Sequence, residues 1–257
     1  IDVQGALIDP NKLKGFDGDI KKLVNDPGVT NNTKLELSTK SNLNDKTLDI
    51  IFEKLKKSRR PVILAGTGVS ISKMSKQFLK LIKKLKIPTV TGWNAHDLIS
   101  NDNKYYSGKP GTVGDRPGNF TVQNSDLLII LGCRLNIRQI SYNWKEFAPK
   151  AFKIMVDIDQ AELDKPTLKI DHKIKADLKT FIPLFIQKIQ DLNYTCTKEH
   201  KKYLMWCKER VIKYPVMLPE YSNTKIKKIN PYAFTDKLFN LLDKADVVIT
   251  GNGSACV

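Results

Sequence analysis

Hydrophobic and polar positions along this chain repeat in one order: an amphipathic stretch, a short apolar run, then a glycine-bearing turn. "DKTLDIIFEKLKKSRR" sets Leu48, Ile51, Phe52 and Leu55 at i, i+3, i+4 and i+7, one face of a helix, with Asp45 placed as its N-cap. "PVILAG" (61–66) follows as a strand with no polar interruption. "SKMSKQFLKLIKKLK" then returns to helical spacing, with Met74, Phe78, Leu79, Ile82 and Leu85 on one side. "IPTVTG" (87–92), "DLLIILG" (126–132) and "FKIMVDID" (152–159) read as further strands, and "FTVQNS" as a short helix before the middle one. "ADLKTFIPLFIQKIQDL" closes the series as a helix that Pro183 should bend or break near its first turns. Strands apolar throughout, alternating with helices, predict an α/β fold: an open parallel sheet with helices on both faces.

The flanks read differently. Residues 10–44 hold Pro10, Gly15, Gly18, Pro27, Gly28 and a polar run, which is linker composition. Residues 191–228 form a second linker-like stretch, although "KEHKKYLMWCKERVIKY" has the spacing of a helix docked by Leu204, Trp206 and Val211. "NPYAFTDKLFNLLDKADVVITGNG" repeats helix then strand, with Asn230 as cap and Pro231 at the first helical position. A strand and glycine turn without a following helix, and a first residue other than Met, predict a piece of a longer protein.

Composition narrows the class only a little. With 257 residues and 41% hydrophobic content the chain can bury a sizeable core. No run approaches the roughly 18 apolar residues needed to span a bilayer, and "IDVQGALIDP" lacks a basic-then-apolar signal profile, so the expectation is a cytoplasmic protein without a membrane partner. Cys133, Cys196, Cys207 and Cys256 lie far apart with no C-x-x-C, which suggests neither zinc nor a disulfide framework. The balance of 43 basic against 27 acidic residues, +16, raises nucleic acid as a partner. The lysines recur at the spacing of solvated helix faces without interleaved aromatics, so no nucleic acid is expected.

Candidate chemistry gathers at strand exits. Gly66-Thr67-Gly68 lets backbone approach a phosphate, yet G-x-G without a third glycine equally suits a tight crossover, and both readings stay open. "KPGTVGDRPGNF" is a glycine-rich loop after the second strand, and "GCRLNIR" brings Arg134 and Arg138 to the end of the third. "DID" ends the fourth with Asp157 and Asp159, suited to ribose hydroxyls or to capping a helix. Loops at the carboxyl ends of parallel strands line the ligand crevice of open α/β sheets, so these groups should converge on one rim. His96, His172 and His200 have no partnered nucleophile nearby and read as surface or capping residues. No G-x-S-x-G, H-E-x-x-H or full Walker loop occurs, and no complete catalytic set is visible.

The order "RRPVILAGTGVS", "IPTVTGW", "GTVGDRPGN", "NSDLLIILGCRLNIRQ", "FAPKAFKIMVDIDQAELDKP", "KADLKTFI" resembles the central domain of thiamine-diphosphate enzymes of the acetolactate synthase type. That resemblance implies a Rossmann-like (DHS-like) domain over 45–190, a linker over 191–228, and the start of a diphosphate-binding α/β domain over 229–257. Residues 1–44, opening on "IDVQGA", resemble the exit of the pyrimidine-binding domain and a linker. It further implies thiamine diphosphate and Mg2+ held mostly outside this stretch, with Gly251, Asn252, Gly253 and Ser254 at the edge of that site. The substrate would be a 2-keto acid, the assembly a homodimer or homotetramer, and the isolated piece inactive.

Some central domains of this family hold FAD or another nucleotide. By resemblance that pocket would use Gly66, Gly68, Thr91, Gly92, Trp93, Gly111, Gly114, Arg134, Arg138, Asp157 and Asp159. Thr67 in the glycine triplet and Asn136-Ile137 in place of an acidic pair depart from the pattern, which favours a structural domain over a nucleotide-filled one. "GTGVS" also resembles the strand exit of sirtuins and implies an NAD-dependent deacylase, but the catalytic-His loop and C-x-x-C module of that family are not found.

Overall fold

Four short runs buried almost throughout become strands of one sheet, because each can bury both faces only between two helical layers, and a fifth strand joins them at the edge. Strands β1 (Pro61–Ala65), β2 (Thr89–Thr91), β3 (Leu127–Leu131), β4 (Phe152–Asp157) and β5 (His172–Lys175) are all parallel, in the order β2-β1-β3-β4-β5. This computed structural model describes residues 41–222, 228–243 and 245–249. Residues 1–40, all but the last four of the expected domain exit and linker over 1–44, and 251–254, the expected edge of the thiamine diphosphate site, lie outside them.

Register turns the alternation of side chains into two cores. Ile63, Ile129 and Ile154 stand in one row across β1, β3 and β4, while Leu64, Ile130 and Met155 stand in the next row and point the other way. The first row packs under helices α1 (Asp45–Lys57), α3 (Ser75–Leu85) and α7 (Leu178–Asp191). The second is covered by α4 (Arg116–Gln123), α6 (Gln160–Asp164) and α8 (Lys198–Lys213) through Val122, Leu163, Tyr203 and Cys207. Two short helical turns, α2 (Gly68–Ile71) and α5 (Ile137–Ile140), sit at the exits of β1 and β3.

Local chemistry shifts several expected boundaries. Asn44, not Asp45, caps α1: its Oδ1 accepts from the Thr47 amide at 2.9 Å, leaving Asp45 in the first turn, where a carboxylate suits the helix dipole. The helical stretch after β1 divides into α2 and α3 at Lys73, which has φ +61°. Its buried face is Phe78, Leu81, Ile82 and Leu85, a strict i, i+3, i+4, i+7 set, so Leu79 lies on the shoulder at 40% exposure. Helix α4 begins earlier than expected because Asp115 caps it and Pro117 occupies its first turn. Pro183 neither breaks α7 nor shortens it; it is exposed in the second turn, where only the Lys179 carbonyl loses an intrahelical donor.

Three features were not anticipated or were placed differently. Strand β5, "HKIK", shows one buried residue, Ile174, and so has no apolar run to announce it. Helix α8 forms as the spacing allowed, but it docks through His200, Tyr203 and Cys207; Leu204 and Trp206 are only partly buried. His200 is therefore not a surface residue: it is fully buried. Helix α9 (Pro231–Phe239) has Asn230 as its cap, accepting from the Tyr232 amide at 2.8 Å, and Pro231 at its start. None of its residues is buried, and residues 246–249, expected as a strand, pair with no neighbour among the described residues. A lone strand has no ladder to join.

Lys86 ends α3 in the left-handed conformation, φ +57° and ψ +38°, where its Cβ is disfavoured and a glycine is not. Its side chain is exposed, and the bond its carbonyl accepts from Cys196 Sγ is one that glycine keeps. Lys86→Gly should therefore stabilise the chain by about 0.5–1 kcal/mol, read as a higher urea midpoint at unchanged slope.

Candidate functional site

In this strand order the chain reverses direction between β1 and β3, and the crevice above that pair is where open α/β sheets bind ligands. The exits of β1, β3 and β4 do meet there. What fills the crevice is backbone. The Gly66 amide donates to the Leu131 carbonyl at 2.9 Å, and the Gly68 amide to the Gly132 carbonyl at 3.0 Å. A Cβ on Gly66 would lie 2.2 Å from the Gly132 oxygen and 2.5 Å from the Cys133 Cα; one on Gly68 would lie 2.8 Å from the Gly132 Cα. Gly132 itself, at φ +54°, completes the contact. The glycines are thus required by two turns pressed against each other, and the amide that would face a phosphate is already engaged. Helix α2, a single turn, adds little dipole to replace it.

Beside this contact lies a cleft of about 310 Å3, lined by Thr67, Gly68, Arg134, Asp157 and Lys179 among others. Asp157 is nearly buried and accepts from the Asp159 amide at 3.0 Å. Burial pushes its carboxyl above the usual carboxylate range, and the neighbouring Glu162 and Asp159 charges add to that. Asp159 behaves as a cap: its Oδ1 accepts from the Ala161 amide at 2.9 Å at the start of α6. The Arg134 guanidinium is drawn to Glu162, with Nε donating at 2.7 Å. Lys165 Nζ donates both to the Glu162 carboxylate and to the Arg134 carbonyl. Burial works to raise the Glu162 carboxyl, but the hydrogen bonds from Lys165 and Arg134 outweigh it and hold that group low.

The remaining expected site residues gather elsewhere on the rim. Trp93 carries Arg138 over its ring at 5.6 Å, and its amide donates to Gln139 Oε1 at 3.2 Å. Gln139 Nε2 donates to the Pro110 carbonyl at 2.6 Å, so one buried side chain ties the exit of β2 to the glycine-rich loop. That loop is pinned again by Thr112, whose amide donates to the Arg138 carbonyl at 2.8 Å, and by Asn119, whose Oδ1 accepts from the Gly111 amide at 3.0 Å. Gly111 has φ +147°, and a Cβ on Gly114 would lie 2.1 Å from the Lys109 carbonyl oxygen, so the turn alone accounts for both glycines. Thr91 is fully buried and Gly92 is packed under the Cys133 sulfur, so neither faces solvent. Trp93 and Gly114 line a second cleft of about 580 Å3 together with His96, Lys109, Asp115 and Tyr232.

Of the residues expected to make one nucleotide pocket, Gly68, Arg134 and Asp157 line the first cleft and Trp93 and Gly114 the second, and the two clefts have no lining residue in common. Sequence reasoning missed Gln139, Glu162 and Asp115. Asp115 accepts from the Lys109 amide at 2.9 Å and the Gly118 amide at 2.6 Å, and the Asp-x-Pro start of a helix was a legible signal for it. Gln139 acts across the fold and leaves no local signal, and Glu162 pairs locally with Lys165 while its tie to Arg134 spans 28 residues. Among the described residues no group of histidine, cysteine or carboxylate side chains is arranged to hold a metal, and no helix is long and apolar enough to cross a membrane.

A doubly covered parallel sheet whose exit loops share one rim, with the switch point closed by backbone, defines a Rossmann-like domain. Residues 48–185 match the family model described as "Thiamine pyrophosphate enzyme, central domain", and the chain belongs to that family. It is 36% identical over 145 residues to a probable acetolactate synthase large subunit of Methanococcus aeolicus, covering 56% of this chain and 23% of the relative. A probable acetolactate synthase large subunit of Methanocaldococcus jannaschii is 31% identical over 189 residues, 74% of this chain and 30% of the relative. The large subunit of acetolactate synthase isozyme 2 from Escherichia coli K12 is 30% identical over 141 residues, 54% of this chain and 25% of the relative. The chain thus spans about a quarter to a third of the length of these relatives. Membership replaces the sirtuin-like and nucleic-acid readings.

Proposed function

We propose that this chain is the middle of a thiamine-diphosphate-dependent enzyme of the acetolactate synthase type that acts on 2-keto acids, and that its sheet domain is a scaffold between cofactor-holding domains. The family match supports the enzyme class. The scaffold role is carried by one observation: Gly66, Gly68 and Gly132 close the switch point on themselves. When bound, thiamine diphosphate supplies the carbanion chemistry that a protein side chain cannot. Mg2+ and the diphosphate would be held outside the described residues, Gly251, Asn252, Gly253 and Ser254 forming the nearer edge of that site. The chain's own rim residues take no part in the bond changes. They set the spacing of the flanking domains, which in a homodimer or homotetramer fixes where two half-sites meet.

A nucleotide in the cleft beside Arg134 and Asp157 is the second reading, favoured by that carboxylate and guanidinium on one rim. The test is a chain extended at both ends, assayed for release of carbon dioxide from a panel of 2-keto acids with thiamine diphosphate and Mg2+. Turnover that needs thiamine diphosphate and is indifferent to added FAD or ADP is the expected result. No turnover across the panel would overturn the enzyme class, and FAD copurifying in equal amount with the protein would overturn the scaffold role.

A further inference from the structure

The opposite rim, where β1 and β3 begin, carries a cleft of another character. It holds about 470 Å3, within the range of small-molecule sites, and shares no residue with the clefts at the strand exits. Arg59 and Arg60 enter it just before β1, and the first turns of α8 bring Lys202. The acidic groups there are largely occupied. The Asp126 carboxylate accepts from the Arg59 and Arg60 amides at 2.9 and 2.8 Å, which fixes the backbone from which both guanidinium groups project. Glu199 accepts from Arg59 at 3.3 Å and from Lys202 at 3.1 Å, so one carboxylate holds two cations in place. The Arg60 side chain has no hydrogen-bond or ion-pair partner among the described residues.

An aromatic wall stands beside these cations. The Trp206 ring is stacked on Tyr203 at 5.6 Å and covered by the Arg210 guanidinium at 4.1 Å. Tyr203 is anchored in turn, its hydroxyl donating to the Thr121 carbonyl at 2.6 Å. The wall is rigid before any ligand arrives, which lowers the entropy cost of binding against it.

We propose that this cleft binds a small phosphorylated metabolite, its phosphate dianion held by Arg60 and Lys202 and its organic part lying along the Trp206 wall. A planar guanidinium with unused donors matches two phosphate oxygens at once, and the ammonium adds a point charge. The cations are solvent-exposed, so each contact is modest and the affinity belongs to the high-micromolar to millimolar range.

The chain is basic overall, so the control must remove at least as much charge elsewhere. Isothermal titration of the 257-residue chain with AMP, and separately with inorganic phosphate, at fixed ionic strength provides the test. Saturable one-to-one binding of AMP is expected, weakened about tenfold by Arg60→Ala and similarly by Lys202→Ala, a loss of about 1.4 kcal/mol each. The double change Lys80→Ala/Lys83→Ala on the exposed face of α3 should leave it unchanged. Equal weakening by that double change, or no saturation, would overturn the site. Inorganic phosphate binding as tightly as AMP would overturn the assignment to an organic phosphate. Melting curves of the four proteins, whose changed side chains are all exposed, check that each is folded.

Discussion

Gly66→Ala should lower the melting temperature of the chain by about 6–12 °C, equivalent to about 3 kcal/mol for a domain of this size. The added methyl would sit 2.2 Å from the Gly132 carbonyl oxygen and 2.5 Å from the Cys133 Cα. Both are backbone atoms at the exit of β3, so no rotamer change relieves the overlap; the strands must part or the turn must rebuild. Gly92→Ala is the comparison, because its methyl would meet mainly the Cys133 sulfur at 3.1 Å, a side-chain atom that can yield. It should cost no more than about 1 kcal/mol. The contrast separates two uses of glycine. A glycine kept bare for a phosphate has open space where its Cβ would go, and substitution harms ligand binding while sparing stability. Thermal unfolding of Gly66→Ala at the unchanged temperature would therefore remove the closed-crossover account and restore the phosphate cradle as a live reading.

Why the layered architecture was legible and the docking details were not follows from the range of the forces involved. "PVILA" and "LLIIL" are apolar at every position, and only burial on both faces of a parallel sheet satisfies such runs, so β1 and β3 were visible in the sequence itself. β5 was not visible, because an edge strand covered on one side needs only Ile174 inside and is held in place by pairing with β4. Helix α8 was legible as a helix, yet its buried side was misread. Leu204 and Val211 are the more hydrophobic choices, but the surface that receives α8 offers hydrogen-bond partners to His200 and Tyr203, and these polar groups set its rotation. Hydrophobic pattern predicts a face well only when the opposing surface is itself apolar.

The candidate site divides in the same way. Convergence of the exit loops on one rim followed from parallel strands and needed nothing more. Whether those loops leave a pocket depended on contacts between residues far apart in sequence, such as Gly66 with Gly132 or Gln139 with Pro110. A G-x-G turn looks the same in sequence whether the space above it is empty or occupied by another turn.

His200→Ala should destabilise the chain by about 3 kcal/mol, and the pH dependence of the histidine protein identifies the cause. His200 ties three segments together: its Nε2 lies 3.0 Å from the Ser58 carbonyl at the end of α1, and its Nδ1 lies 3.1 Å from the hydroxyl of Tyr194 in the α7–α8 connection. A carbonyl only accepts, so Nε2 carries the proton and Nδ1 accepts from Tyr194, which makes the neutral ring the form that fits. Burial holds the pKa of His200 below its ordinary value of 6.5, against the opposing pull of the Ser58 and Leu55 carbonyls and the Asp126 charge. Below that ordinary value the unfolded chain binds a proton that the folded chain resists. Stability from this group is complete above about pH 6.5 and is lost as the pH falls toward the depressed folded pKa. His96 and His172 are shifted in the same direction by burial, so the slope of the whole protein is not due to His200 alone. His200→Gln isolates the contribution, since an amide can donate to Ser58 and accept from Tyr194 without titrating. Urea unfolding at pH 7.5 and pH 5.5 should show a smaller loss on acidification for His200→Gln than for the unaltered chain, while His200→Ala starts lower at both. Equal losses in the glutamine variant and the unaltered chain would mean that His200 fastens α8 by packing alone.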